Sequence, residues 1–177
     1  MARLFGTDGV RGLANKDLTP ELAFELGRAG AAFLRARSQE AHPTVVVGKD
    51  TRRSGDMLES ALAAGICSVG VNVKRLGVIP TPGVAWLTKQ TGAVAGVMIS
   101  ASHNPAPDNG IKFFGPSGFK LPDADEDAIE AMVNDPKAMR RPVGEALGRV
   151  VDAPDLLQRY ADYVINLLLR QALAGLK

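Results

Sequence analysis

The feature that most constrains the fold of this chain is a run of apolar residues that leads directly into a polar loop. Residues 94–99 are Val-Ala-Gly-Val-Met-Ile, and a short run of this kind is typical of a parallel strand buried on both faces. Residues 100–105, Ser-Ala-Ser-His-Asn-Pro, follow at once. Because ligands bind beyond the carboxyl ends of such strands, we expect chemistry here, with the Ser102 hydroxyl accepting and returning a group beside His103. The alternative is a Ser/Asn/Pro turn with a purely conformational role.

The order of apolar patterns along the chain alternates between strand and helix, which predicts an α/β/α layered domain with a mixed, mostly parallel sheet. Thr19 is expected to cap the first helix, Ser54 the second and Asp152 the last, since hydroxyl and carboxylate oxygens accept from free helical N–H groups. Gly70 is expected to end the second helix. The predicted strands are 4–5, 44–47, 71–78, 93–99, and a hairpin of 111–114 with 119–121 at the sheet edge, and residues 135–150 are predicted to be a connector.

Composition excludes several classes of protein. With 177 residues, 46% of them hydrophobic, the chain is long enough to form one domain with its own core and a short extension. Its only cysteine is Cys67, which rules out a disulfide framework or a Cys-rich metal site and fits a cytoplasmic protein. No signal peptide or membrane span is predicted, and a net charge of +2 does not by itself imply a nucleic-acid partner.

Basic residues follow the predicted strands. Arg11 lies in the glycine-rich loop 6–12, Lys49 and Arg52 follow strand 44–47, and Lys112 comes ten residues after Ser102. If the strands are parallel, their following loops share one edge of the sheet, and these cations surround a common cleft that binds a phosphorylated ligand. For each arginine taken singly, a solvated surface role is the alternative.

Two motifs do not support other functions. Gly6, Gly9 and Gly12 are spaced evenly by three, so their loop is neither a dinucleotide fingerprint nor a P-loop, and it is expected to form turns that present Arg11. The acidic run 123–127 lacks the glycine and the closing glutamate of a calcium loop. We interpret that run as the start of a helix, where acidic side chains are favoured.

Four segments in this order closely resemble the α-D-phosphohexomutase superfamily, and most of all its bacterial branch that acts on glucosamine phosphates. They are residues 6–12 (Gly-Thr-Asp-Gly-Val-Arg-Gly), 48–54 (Gly-Lys-Asp-Thr-Arg-Arg-Ser), 100–105 and 109–112 (Asn-Gly-Ile-Lys). The resemblance covers residues 1 to about 175. It implies that residues 1–150 form domain 1, with the phosphoserine loop, and that residues 151–177 begin a truncated second domain.

The resemblance also implies an activity. Such enzymes interconvert glucosamine 6-phosphate and glucosamine 1-phosphate through glucosamine 1,6-bisphosphate, which leads to UDP-N-acetylglucosamine and cell-wall precursors. Ser102 would carry the phosphoryl group, and its phosphate would also be a ligand of Mg²⁺. The family's Asp-Gly-Asp-x-Asp-Arg metal loop does not occur in this sequence, so we expect the chain alone to be inactive.

By family analogy, Lys112 and Arg11 assist proton transfer or stabilise developing charge, and His103 and Asn104 position the phosphoserine and the sugar hydroxyl. Lys49 and Arg52 are predicted to bind the phosphosugar with Asn104. Two alternatives stay open: a sister mutase for glucose or mannose phosphates, and a binding or oligomerisation domain without chemistry of its own. A homodimer is expected, because a predicted final helix carries an apolar stripe formed by Leu156, Tyr160, Val164, Leu167 and Leu168.

Overall fold

The computed structural model describes residues 3–136 and 139–171, with side chains up to residue 167. In these residues, six strands and five α-helices follow one another along the chain. The strands are β1 (Val10–Leu13), β2 (Thr44–Lys49), β3 (Asn72–Val78), β4 (Ala95–Ile99), β5 (Asp108–Phe114) and β6 (Val150–Asp152). The helices are α1 (Pro20–Arg35), α2 (Gly55–Ser68), α3 (Thr81–Thr91), α4 (Asp123–Asn134) and α5 (Pro154–Gln171).

The six strands form a single sheet in the order β1-β5-β4-β2-β3-β6. Strand β2 is parallel to both of its neighbours, β4 and β3, and β6 is parallel to β3. Strand β5 runs antiparallel to β4 and to β1. The predicted fold class, a mixed and mostly parallel sheet, is therefore confirmed.

Helices cover both faces of the sheet. On one face, α1, α2 and α4 pack over alternate residues of the central strands, such as Val45, Val47 and Val97. On the other face, α3 and α5 cover a smaller core that contains Val46 and Met98. This alternation follows from the pleat, which points successive side chains to opposite faces and so requires a helical layer on each side.

Three of the four predicted helix boundaries are confirmed and one is wrong. The Thr19 hydroxyl accepts from the Leu22 N–H at 3.2 Å, and Gly70 follows the end of α2 with a φ of +80°. Ser54 is the N-cap residue of α2 as expected, but its side chain makes no cap hydrogen bond, because its hydroxyl accepts from the Asn109 side-chain amide instead. Asp152 belongs to β6, where its carboxylate accepts from Arg75 at 2.7 Å.

Two strand predictions and the end of the predicted connector are also wrong. Leu4 and Phe5 are not in a strand, because their N–H groups donate to Glu130 of α4 and the Phe5 ring is buried against Phe113. The first strand begins later, at Val10. The predicted hairpin is reduced to one bridge, between Phe114 and Lys120, and β5 lies inside the sheet. The predicted connector 135–150 reaches into β6.

Helix α5 packs against the sheet through its first turns. Leu156 is buried, and Tyr160 packs against Trp86 of α3 with a ring separation of 5.9 Å. Val164 is half-buried and Leu167 is exposed, while the side chain of Leu168 lies outside the described part of the chain. In the part of the chain that is described, no helix is long and apolar enough to cross a membrane.

Candidate active site

Two parallel strands, β2 and β4, end side by side at one edge of the sheet, and the serine loop, residues 100–108, which carries Ser102, begins there. The Asp50 N–H, just after β2, donates to the Ile99 carbonyl at the end of β4 at 3.1 Å. Strand β5 starts at the same edge, since the Ser100 N–H donates to the Gly110 carbonyl at 2.9 Å. A cavity of about 250 Å³ opens beside the loop, and it is lined by Asp8, Arg11, Thr81, Met98, Ser100, Ser102 and Lys112.

Ser102 is presented to solvent by an unusual backbone conformation. Its φ is +56°, in the left-handed region that side chains other than glycine rarely adopt. Its N–H donates to the Ser100 hydroxyl at 3.0 Å, which fixes this turn, and its own Oγ lies 3.4 Å from His103 Nδ1. Such strained residues cluster where a site requires a side chain in one orientation, so the purely conformational explanation of this loop is less favoured.

The strand register brings two cationic side chains to the same cavity. Lys112 of β5 lies opposite Met98 of β4, and Arg11 of β1 lies opposite Gly110 of β5. A Cβ atom on Gly110 would lie 2.9 Å from the Arg11 side chain, so glycine makes room for that side chain to cross the strand. The site therefore depends on β1, a strand that was not predicted.

Asp8 lies between these two cations. Its carboxylate is 3.4 Å from the Arg11 guanidinium and 3.7 Å from the Lys112 ammonium. Buried Arg11 Nε has no hydrogen-bond partner among the described residues, and an unpaired buried donor is costly until it finds an acceptor. The cavity thus has two cations for one carboxylate. The start of α3, at Thr81, adds the positive end of a helix.

Lys49 does not line this cavity. Its ammonium is held by two carboxylates of α2, at 2.7 Å from Asp56 and 2.5 Å from Glu59. Burial acts to lower the pKa of Lys49, but hydrogen bonds and charge attraction from the two carboxylates outweigh it and raise that pKa. The hydrogen bond from Lys49 in turn lowers the pKa of Asp56. Its position favours a structural ion pair over contact with a substrate.

Arg52, Asn104 and His103 belong to the serine loop and its support rather than to the cavity lining. The Arg52 guanidinium donates to main-chain carbonyls of the loop. The Asn104 amide donates to Asp108 at 3.1 Å. His103 is exposed beside Ser102. Of the predicted site residues, the structure thus brings Arg11, Ser102 and Lys112 together around one cavity.

Sequence reasoning did not assign roles to Asp8, Ser100 and Thr81. Asp8 precedes Arg11 by three residues in the same loop, and Ser100 precedes Ser102 by two. Their proximity in sequence to predicted site residues could have indicated both. Thr81 had none, because it reaches the cavity only through the packing of α3 on the sheet.

The described residues do not form a Mg²⁺ site by themselves. Among them there is no group of three or more His, Cys, Asp or Glu side chains that could hold a metal ion. The carboxylate that lines the cavity, Asp8, is already paired with Arg11 and Lys112. A phosphate on Ser102 would offer oxygen ligands, but one phosphate group supplies fewer ligands than Mg²⁺ requires.

Comparison with known proteins identifies the family. Residues 2–140 match the family model described as phosphoglucomutase/phosphomannomutase, alpha/beta/alpha domain I. The chain belongs to this family. The resemblance noted from the serine loop and the basic loops is therefore confirmed, and with it the assignment to the phosphohexomutase superfamily.

The curated relatives give a narrower comparison. The chain is 59% identical over 164 residues to the phosphoglucosamine mutase of Desulforamulus reducens, an alignment that covers 92% of this chain and 36% of that protein. It is 58% identical over 178 residues to the phosphoglucosamine mutase of Moorella thermoacetica, covering 100% of this chain and 39% of that protein. The chain thus spans less than half the length of these relatives.

Solved structures agree on the fold. A phosphoglucomutase/phosphomannomutase family protein from Burkholderia thailandensis superposes with a TM-score of 0.76 at 24% identity, covering 93% of this chain and 35% of that one. The parafusin (phosphoglucomutase) of Paramecium gives a TM-score of 0.72 at 19% identity, covering 93% and 35%. At such identities, the likeness concerns the fold alone.

Proposed function

We propose that this chain is the phosphoserine-bearing part of a phosphoglucosamine mutase, which interconverts glucosamine 6-phosphate and glucosamine 1-phosphate. The observation that carries the proposal is the convergence of Ser102, Arg11 and Lys112 on one cavity. Identities of 59% and 58% to curated phosphoglucosamine mutases favour the amino sugar as substrate. Glucosamine 1,6-bisphosphate as intermediate, Mg²⁺, a homodimer and a cytoplasmic location belong to the same proposal, as do the domain bounds 1–150 and 151–177.

The chemistry is a transfer of one phosphoryl group in each direction. The bond between phosphorus and Ser102 Oγ breaks, and a bond forms between phosphorus and a hydroxyl oxygen of the bound sugar monophosphate. The hydroxyl proton passes to a base in the cavity or to water, Lys112 and Arg11 assist that transfer or stabilise the developing charge, and the bisphosphate then returns its other phosphoryl group to Ser102. Such transfers depend mainly on positioning and on stabilisation of charge.

Arg11 and Lys112, the two cations of the cavity, stabilise the negative charge of the phosphoryl group during transfer. A phosphoserine carries about −1.5 to −2 charges near neutral pH, and the guanidinium of Arg11 matches phosphate oxygens in a bidentate geometry. Asp8 pairs with both Arg11 and Lys112 at the cavity. His103 and Asn104 then position the phosphoserine and the sugar hydroxyl.

A sister mutase for glucose or mannose phosphates is the second candidate. It is favoured by the description of the matching family model, which names phosphoglucomutase and phosphomannomutase. The non-catalytic alternative is disfavoured, because a binding domain would not require a serine in a left-handed conformation facing two cations.

A chimaera tests the proposal. This chain replaces the matching segment of the Moorella thermoacetica phosphoglucosamine mutase, and turnover is measured on glucosamine, glucose and mannose 6-phosphates. We expect the chimaera to turn over substrate and Ser102→Ala to abolish that turnover. Ser117→Ala, at an exposed serine of the 115–118 turn, is the control, and we expect it to leave turnover unchanged. Turnover by the Ser102→Ala chimaera contradicts the role of Ser102. Preference for glucose or mannose phosphate, compared with the unmodified Moorella enzyme, favours the second candidate.

A further inference from the structure

Arg52 uses every N–H donor of its guanidinium within the protein. A guanidinium has five such donors, and five acceptors surround it: Asp50 Oδ2 at 3.0 Å and the carbonyl oxygens of Ser102 at 3.0 Å, Asn104 at 2.8 Å, Pro105 at 2.7 Å and Asp108 at 3.0 Å. The side chain is only 10% exposed. No donor is left for a substrate phosphate, although the sequence predicts Arg52 to bind the phosphosugar.

The four carbonyl groups all belong to the serine loop, between Ser102 and Asp108, the residue at which β5 begins. Their oxygens carry partial negative charge and converge on one point, an arrangement that is unfavourable unless a cation occupies that point. The other hydrogen bonds of the loop come singly: Ser102 N–H to the Ser100 hydroxyl, Asn104 N–H to the Ala101 carbonyl, Asp108 N–H to the Pro105 carbonyl, the Asn104 amide to the Asp108 carboxylate, and Ala14 N–H to the Pro107 carbonyl. With four hydrogen bonds, Arg52 contributes more polar contacts to the loop than any other side chain.

Asp50 connects this arginine to the sheet. Its carboxylate accepts from the Arg52 N–H at 2.9 Å and from the Arg52 Nε–H at 3.0 Å. Its own N–H donates to Ile99, the last residue of β4. A continuous set of hydrogen bonds thus runs from the end of β4 through Asp50 and Arg52 to the carbonyl of Ser102.

We propose that Arg52 is a positioning residue, which holds the serine loop so that Ser102 stays in its left-handed conformation and faces the cavity. The proposal deepens the proposed function, on which its catalytic part rests. Arg52 acts through Ser102 and contacts no substrate. Lysine cannot replace it, because an ammonium has three donors on a flexible stem and does not span four carbonyls and a carboxylate.

The first test measures loop order in this chain without any substrate. Arg52→Lys is compared with Arg53→Lys, a change of the same type at the exposed neighbour, by hydrogen–deuterium exchange of peptides that cover residues 100–108. We expect exchange in the loop to be about tenfold faster in Arg52→Lys, with the central strands unchanged, and to be unaffected in Arg53→Lys. Unchanged exchange in Arg52→Lys overturns the proposal.

The second test separates positioning from substrate binding. If Arg52 bound the substrate equally in the ground state and the transition state, its replacement in the chimaera would raise KM and leave kcat unchanged. A misplaced serine instead lowers kcat, by about 100-fold for a shift of about 1 Å, with KM changed little. We expect Arg52→Lys to lower kcat and the fraction of phosphorylated Ser102, and a raised KM at normal kcat overturns the proposal.

The two tests keep this inference apart from the proposed function. An inactive wild-type chimaera contradicts the proposed function, but the exchange experiment still decides whether Arg52 fixes the loop. An active wild-type chimaera together with a fully active Arg52→Lys chimaera contradicts the positioning role alone.

Discussion

Replacement of Gly9 by alanine tests how the glycine-rich loop positions the cavity residues. Gly9 has a φ of +83°, and a Cβ atom there would overlap the carbonyl oxygen of Ile111 and lie 3.0 Å from the Lys112 Cα. Both neighbours are main-chain atoms of β5, which is paired on both sides and cannot move aside easily. The substitution therefore combines backbone strain with a steric clash, and the clash falls beside Lys112.

The two contributions can be estimated separately. A left-handed conformation costs about 1–2 kcal/mol for an L-residue with a Cβ atom, and overpacking against a rigid neighbour costs about 1–3 kcal/mol. We expect Gly9→Ala to lower the free energy of unfolding by about 2–5 kcal/mol. Gly77→Ala is the matched control, because Gly77 has a φ of +74° and its Cβ would meet no described atom within 4 Å. We expect it to cost about 1–2 kcal/mol.

Urea unfolding of the two variants and the parent chain, followed by circular dichroism, gives these differences. Equal losses in Gly9→Ala and Gly77→Ala would show that the contact with β5 has no energetic consequence. The reasoning that β5 fixes the position of the loop would then be refuted.

Lys49→Met should lower the free energy of unfolding by about 3 kcal/mol, because it leaves the buried carboxylate of Glu59 without its partner. Lys74→Met, at an exposed lysine of β3, is the control for urea unfolding, and equal effects would contradict a structural role for Lys49. Cys67 should react more slowly with iodoacetamide at pH 8 in the folded chain than in urea, because burial raises the pKa of its thiol. Equal alkylation rates would contradict a raised pKa of the Cys67 thiol. Because the folded state holds the thiol proton more tightly, the free energy of unfolding falls as the pH rises from the unfolded pKa of about 8.5 through the folded value.

Local signals in the sequence were enough to predict the central part of the fold. Thr19 caps α1 as expected because the hydroxyl and the N–H that it accepts are three residues apart. The apolar runs of β2 and β4 are buried on both faces, so their hydrophobicity alone identifies them. The same reasoning placed Ser102 at the carboxyl end of a strand, where the structure has it.

The edges of the sheet could not be predicted in this way. Strands β1 and β6 have four and three residues, and they form because β5 and β3 offer them hydrogen-bonding partners distant in sequence. Leu4 and Phe5 have the apolar character of a strand, but their N–H groups pair with a side chain of α4.

Arg52 illustrates a second limit of sequence reasoning. Its position after a parallel strand predicted an anion-binding arginine, which is a sound inference from residue type. Whether a guanidinium binds a ligand or the carbonyls of its own protein depends on the path of the neighbouring loop. That path was set by residues 102–108, some fifty positions along the chain.

Phosphopeptide mapping of the chimaera tests the central claim most directly. The protein is incubated with glucosamine 1,6-bisphosphate, digested, and analysed by mass spectrometry before and after addition of glucosamine 6-phosphate. The account predicts one phosphate on Ser102, lost when the sugar monophosphate is added in excess and absent in Ser102→Ala. A phosphate on another residue that turns over with substrate, or none on Ser102 in an active chimaera, would contradict the account.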